Sequence, residues 1–281
     1  MTVTLRQRAL AIWQLSRPAD KAAAARALPA EADFADVDIG ADEPLAQRLA
    51  DQGLVRGRPE RPVLVEPSSL PRRSVRTTEG RAALIAALAH IELNAIDLAC
   101  DLLWRFEGLP PAFYRQWSRV AREEALHFNL LSDHLQTLGH QYGDFPAHNA
   151  LWEMAERTRD DLLARLALVP RTLEARGLDA SPPIRAKLQS AGDAAGAAIL
   201  DLILRDEVGH VAIGNHWYRH LCTLRGLDPI ATYAALASRY RAPRLRGPFN
   251  LEARRAAGFD EAELAALVAA DASAGSATRA G

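Results

Sequence analysis

One short motif, present twice, constrains this chain more than any other feature. Glu124-Ala125-Leu126-His127 and Glu207-Val208-Gly209-His210 both read E-x-x-H, and each follows a lone glutamate at a matched interval, Glu92 by 32 residues and Glu174 by 33. Glu and His three positions apart share one helical face, so each motif can aim two donors at one point. Four carboxylates and two imidazoles in that order form the ligand set of a di-iron or di-manganese four-helix bundle. The expected fold is therefore all-α, with Glu92, Glu124, His127, Glu174, Glu207 and His210 as metal ligands.

Helix rise, about 1.5 Å per residue, tests whether the spacing can close a site. From Glu92 a helix continues about 14 residues to Phe106, roughly 21 Å, and the next returns about 12 residues from Ala112 to Glu124, roughly 18 Å. The two glutamates then face each other in an antiparallel hairpin. The second pair closes only if its turn lies at Gly192-Asp193, where the outward leg is about 16 residues and the return about 14, roughly 24 and 21 Å. A turn at 177–183 would instead put Glu207 roughly 35 Å from its partner. The turn is accordingly expected at Gly192, with Asp193 capping a helix to about Leu224, and 177–183 is expected to be an interruption beside Glu174. Glu153 and Glu156 on the same segment are the competing carboxylates if that turn is misplaced.

Electrostatics favours metal. Four ionised carboxylates in an apolar bundle repel one another, whereas two divalent cations balance them with both histidines neutral. Hard oxygen donors with imidazoles suit iron or manganese. Glu124 and Glu207 are the expected bridging carboxylates and the residues nearest any chemistry. Each motif is also preceded by an acid, Glu123 and Asp206, expected to orient a histidine on the facing helix, with a solvated or salt-bridged acid as the alternative. His90 lies two positions from Glu92, on another face, and reads as a packing residue; His134, His140, His148, His216 and His220 have no matched partner.

Around this core the chain reads as five segments. Residues 1–56 suggest two or three short helices, 57–79 a Pro- and Arg-rich strap, 80–225 the bundle, 226–270 a helical extension, and 271–281 a disordered Ala/Ser/Gly tail. Helices are expected from Gly80 to Phe106, from Pro110 to Leu138, and from Leu151 to about Arg176 with Pro170 inside it as a kink or a restart. The formal net charge of −1 steers the chain toward neither nucleic acid nor membrane, and the Arg-rich stretches could clamp a phosphate or RNA or simply pair with local acids and cover the bundle. Of 34 basic residues only Lys21 and Lys187 are lysines. Two cysteines, Cys100 and Cys222, no leader-like N-terminus and no stretch of 18 uncharged apolar residues fit a reducing cytoplasm.

From about Gly57 onward the chain resembles a bacterial ferritin-like family of unknown function. The resemblance rests on HIELNAIDLACDLLWRF at 90–106, EEALHFNLL at 123–131, VPRTLEARGLD at 169–179, RDEVGHVAIGNHW at 205–217 and GPFNLEARRAAGF at 247–259. It implies a ferritin-like four-helix bundle and places Glu174 within a motif. More distantly the chain is similar to the di-iron tRNA hydroxylases that act on a hypermodified adenosine, a likeness that carries no substrate with it. The expected activity is that of an O2-dependent di-iron (or di-manganese) oxygenase or oxidase. It would hold two Fe ions, take O2 as co-substrate and an external electron donor, act on a small molecule or modified nucleoside, and be a monomer or dimer. The alternative is ferritin-like iron or peroxide handling without an organic substrate. The segment 177–183 is the expected route for substrate.

Overall fold

The computed structural model describes residues 3–50, 53, 55–71 and 73–277, and these form an all-α protein. The helices are α1 (Leu5–Gln14), α2 (Pro18–Arg26), α3 (Leu45–Ala50), α4 (Thr78–Arg105), α5 (Pro111–Thr137), α6 (Ala150–Arg157), α7 (Leu162–Leu168), α8 (Ala175–Ser190), α9 (Ala194–Leu224), α10 (Pro229–Arg239), α11 (Leu251–Ala256) and α12 (Glu261–Ala277). They fall into two compact units, residues 1–152 with 191–199, and residues 153–190 with 200–281. The division runs through the segment 80–225 that the sequence reads as one bundle.

The first unit is built on the α4/α5 hairpin. Every residue of α4 from Glu92 to Trp104 is buried, as a helix apolar nearly all round requires. By length and composition this helix could cross a membrane, although 72% of its apolar window is buried within the protein. Counting uncharged runs missed that property, because hydropathy averaged over a window tolerates the isolated acids. Thr77 caps the N-terminus of α4, its hydroxyl accepting from Gly80 N at 3.1 Å. A Cβ at Gly80 would lie 1.9 Å from the Ser74 carbonyl oxygen, so only glycine fits there. At the other end the buried Arg6 of α1 donates to the carbonyls of Leu103 (3.3 Å) and Trp104 (2.8 Å), which the final turn of a helix leaves unsatisfied. α5 starts at Pro111 and stops before Gly139, whose φ is +80°. The strap 57–79 is largely irregular and touches the loop before α6 through Val65 N to Ala147 O (2.9 Å) and Ala147 N to Val63 O (3.1 Å).

In the second unit α7, a π-helical stretch Val169–Glu174 and α8 run on without a break. This corrects two expectations. The helix expected from Leu151 to Arg176 is divided near residues 158–161, where Asp161 caps α7 by accepting from Ala164 N at 3.1 Å. The interruption expected at 177–183 is not there, since α8 runs through it, and the deformation lies at 169–174, where Pro170 was expected to kink or restart the helix. Pro170 lacks an N–H and crowds the carbonyl four residues back, so the helix widens there. Thr172 Oγ1 donates to the carbonyl of Ala167 (2.7 Å), supplying a bond from within the widened stretch. Pro182 and Pro183 sit inside α8. Pro182 frees the Leu178 carbonyl from its helical partner, and Asn250 Nδ2 donates to it at 3.2 Å.

The turn falls where the helix lengths demanded, with Gly192 at φ +80° and Asp193 accepting from Gly196 N at 2.9 Å before α9 begins. Ala175, Leu178, Val211, Ala253, Ala257, Phe259 and Leu264 form an apolar cluster of the second unit. α12 continues to Ala277, into the stretch expected to be a disordered tail, as its alanine content allows. Residues 278–281 of that expected tail lie outside the described residues.

Candidate metal centre

The α4/α5 hairpin brings Glu92, Glu124 and His127 together. Each offers a ligand atom within 4.8 Å of the others, and all three are buried. His127 Nδ1 lies 3.3 Å from Glu92 Oε2 and 3.4 Å from Glu124 Oε2. The neighbouring positions on the same faces are apolar: Ala89 and Ile96 on α4, and Val120, Ala121, Phe128 and Leu131 on α5, all buried. Water is thereby kept from the carboxylates, and the low-dielectric surroundings amplify their interactions.

Without a cation such a cluster must hold protons. Burial first, then the charge of Glu124, pushes the Glu92 carboxyl well above the usual carboxylate range. Burial opposes a charge on His127, but hydrogen bonds and charges from Glu124 and Glu92 outweigh it and raise the imidazole to about 11. Two buried oxygen donors and one nitrogen donor, with Glu92 and His127 both displaced toward their protonated forms, form a donor set that fits a divalent metal.

In the second unit the other motif repeats this local geometry. His210 Nδ1 stands 3.4 Å from Glu207 Oε1, the same separation as in the first motif, and both residues are buried. Glu174 is the last residue of the π-helical stretch and is half-buried. Its height follows from the register against α9. Arg185 Nε meets Asp201 Oδ1 at 3.1 Å, Arg171 Nη1 meets Asn215 Oδ1 at 2.7 Å, and Pro170 lies where a Cβ on Gly214 would be 2.6 Å away. Each of these pairs sums to 384–386 in residue number, and that constant sum sets Glu174 opposite residues 210–212, level with His210. Glu153 and Glu156, the competing carboxylates, are exposed.

The acids preceding the motifs have arginine neighbours. Glu123 pairs with Arg119 at 3.0 Å, and Asp206 with Arg205 at 2.9 Å. His90 hydrogen-bonds with Tyr142 Oη (2.8 Å) and with Asn94, and burial lowers its pKa to about 4, so it is a neutral packing residue. His134 is hydrogen-bonded to Asp193 at 3.0 Å. His216 and His220, read as solitary, stack on one another.

Sequence reasoning overlooked a buried charge network on α4, one turn beyond Glu92. Asp97 meets the buried Lys21 ammonium and Arg56 Nη1 (3.3 Å), and Arg56 also donates to Asn94 Oδ1 at 2.8 Å. Burial pushes Asp97 up to about 6 against the pull of both cations. A signal was available: Lys21 is one of only two lysines beside 32 arginines.

A family model described as "Protein of unknown function (DUF455)" matches residues 14–265. A Haemophilus influenzae protein carrying the name "Uncharacterized protein" is 51% identical over 225 residues, which is 77% of either chain. No solved structure matches.

Proposed function

The chain belongs to the DUF455 family, and from that premise we propose that it is a ferritin-like, dinuclear non-haem metalloprotein acting as an O2-dependent oxygenase or oxidase. Glu92, Glu124, His127, Glu174, Glu207 and His210 hold the two ions, iron in the first instance, with manganese as the alternative occupant. The reading is carried by one observation above all: three buried donors of α4 and α5 lie within 4.8 Å of one another, forming a local geometry that the second E-x-x-H repeats.

Iron held by these residues would supply two electrons to O2 at one place. The protein's own contributions are distinct. Glu92 and Glu124 bring negative charge into a dry core, His127 presents Nδ1 to them, and the apolar residues of α4 and α5 exclude water. The π-helical stretch ending at Glu174 replaces 177–183 as the place where substrate would approach, since a local widening of a helix is a recurrent device at functional sites. The substrate is a small molecule or a modified nucleoside, and reduction of the ions requires an external donor.

Elemental analysis of protein purified from native expression tests the proposal. Two iron or manganese ions per chain are expected, with Glu124→Ala and Glu207→Ala both losing metal. Glu174→Ala should lose metal whereas Glu153→Ala should not. Metal content unchanged in all three ligand variants would reject the site. Reduced, iron-loaded protein should consume O2. A shell-sized particle on size-exclusion chromatography, in place of a monomer or dimer, would replace the oxygenase reading with iron storage.

A further inference from the structure

His216 and His220 lie four residues apart on α9, with ring centroids 6.3 Å apart and planes within 16° of parallel. That spacing places both on one helical face, the arrangement by which two histidines of one helix grip a single zinc ion. Their orientation is set by the core. The buried Trp217 ring meets His216 at 5.0 Å and His220 at 5.2 Å, edge-on in both cases (82° and 83°). Both imidazoles border an open cavity of about 360 Å3, with Asn215, Arg219, Thr223 and Gly258 also on its wall.

The chemistry of that wall selects a cation of one class. Arg219, the cationic residue lining the cavity, is engaged elsewhere: it donates to the Gly258 carbonyl at 2.6 Å and is paired with Glu263 and, at 3.6 Å, with Asp260. Its charge is therefore balanced, which disfavours an anion. Asn215 is committed as well, accepting from Arg171 and donating to the Ala257 carbonyl at 2.7 Å. Among the described residues no carboxylate lines the cavity, so hard ions such as Mg2+ and Ca2+ lack their oxygen donors. What remains are two pre-oriented imidazole donors, one exposed and one half-buried, which suit zinc, copper and nickel.

We propose that His216 and His220 form a second metal site, open to solvent, that binds one divalent transition-metal cation of the zinc class, with water completing its coordination. It lies six residues beyond His210 on α9, roughly 9 Å along the axis, and uses none of the residues assigned to the buried centre.

Calorimetric titration of the full chain with Zn2+ tests this directly. The unmodified protein and Glu124→Ala should both show the solvent-open site, whereas His216→Ala and His220→Ala should each lose one equivalent of Zn2+ per chain. Cu2+ bound at the site should show nitrogen hyperfine coupling in its electron paramagnetic resonance spectrum, absent from both histidine variants. His216 is exposed, so its variant should keep the far-UV circular dichroism of the parent. Equal Zn2+ stoichiometry in the parent and the histidine variants would overturn the proposal, as would loss of this binding in Glu124→Ala. Failure of the buried centre would be read in different variants and a different metal.

Discussion

His127 summarises the candidate centre at the scale of one residue. Its imidazole is buried between two carboxylates and keeps its proton to about pH 11 in the metal-free chain, and Glu92 beside it is also displaced toward its protonated form. A ligand must be deprotonated, so metal uptake at neutral pH should release protons, and apparent affinity should rise with pH. Titrations in two buffers of different protonation enthalpy measure this. Identical apparent enthalpies in both buffers would show that no proton leaves. Asp97 makes a second prediction at this scale. Asp97→Asn removes the charge opposite the buried Lys21 ammonium, and breaking such a pair typically costs about 3–5 kcal/mol. Denaturant unfolding should show that loss, and Lys21→Met combined with Asp97→Asn should recover much of it, because the remaining cost is an unpaired charge.

At the scale of elements, the interruption in the third long helical stretch belongs to Pro170 and not to Pro182 or Pro183. The difference lies in who satisfies the orphaned carbonyls. Asn250 takes the carbonyl freed by Pro182, so α8 stays helical, whereas the stretch at Pro170 widens and leans on Gly214. Two glycines separate these cases. Gly214→Ala would place a Cβ 2.6 Å from Pro170 Cβ and should lower stability by about 1–3 kcal/mol through overpacking. Gly177→Ala meets nothing within 4 Å and lies inside α8, so it should be neutral or stabilise by up to about 1 kcal/mol through helix propensity. Thermal unfolding of the two variants checks the contrast. A destabilised Gly177→Ala would return the interruption to 177–183.

For the whole molecule, the all-α class and the long α4 and α5 helices were legible because apolar periodicity, Pro111 and Gly139 all agree on them. The meeting of Glu92 with Glu124 was legible for the same reason, since helix rise alone puts them at one level. The Lys21–Asp97 network was not, because it joins residues 76 apart through the packing of α2 against the core. If the buried donors hold metal, verified chelation should lower the melting temperature. Ligand at a hundred times its Kd contributes about 2.7 kcal/mol, which corresponds to several degrees for a chain of this size. An unchanged melting curve would count against a metal held in the core.

The amino-acid sequence by itself determined the donor types, their order, and the heights at which straight helices carry them, because helix rise is a constant of the backbone. Only the tertiary structure decided that 177–183 stays helical despite its prolines, which carbonyls are rescued, and that His216 and His220 are partners held by Trp217 at the edge of a cavity. Those outcomes depend on contacts from distant residues such as Asn250, and local pattern does not encode them.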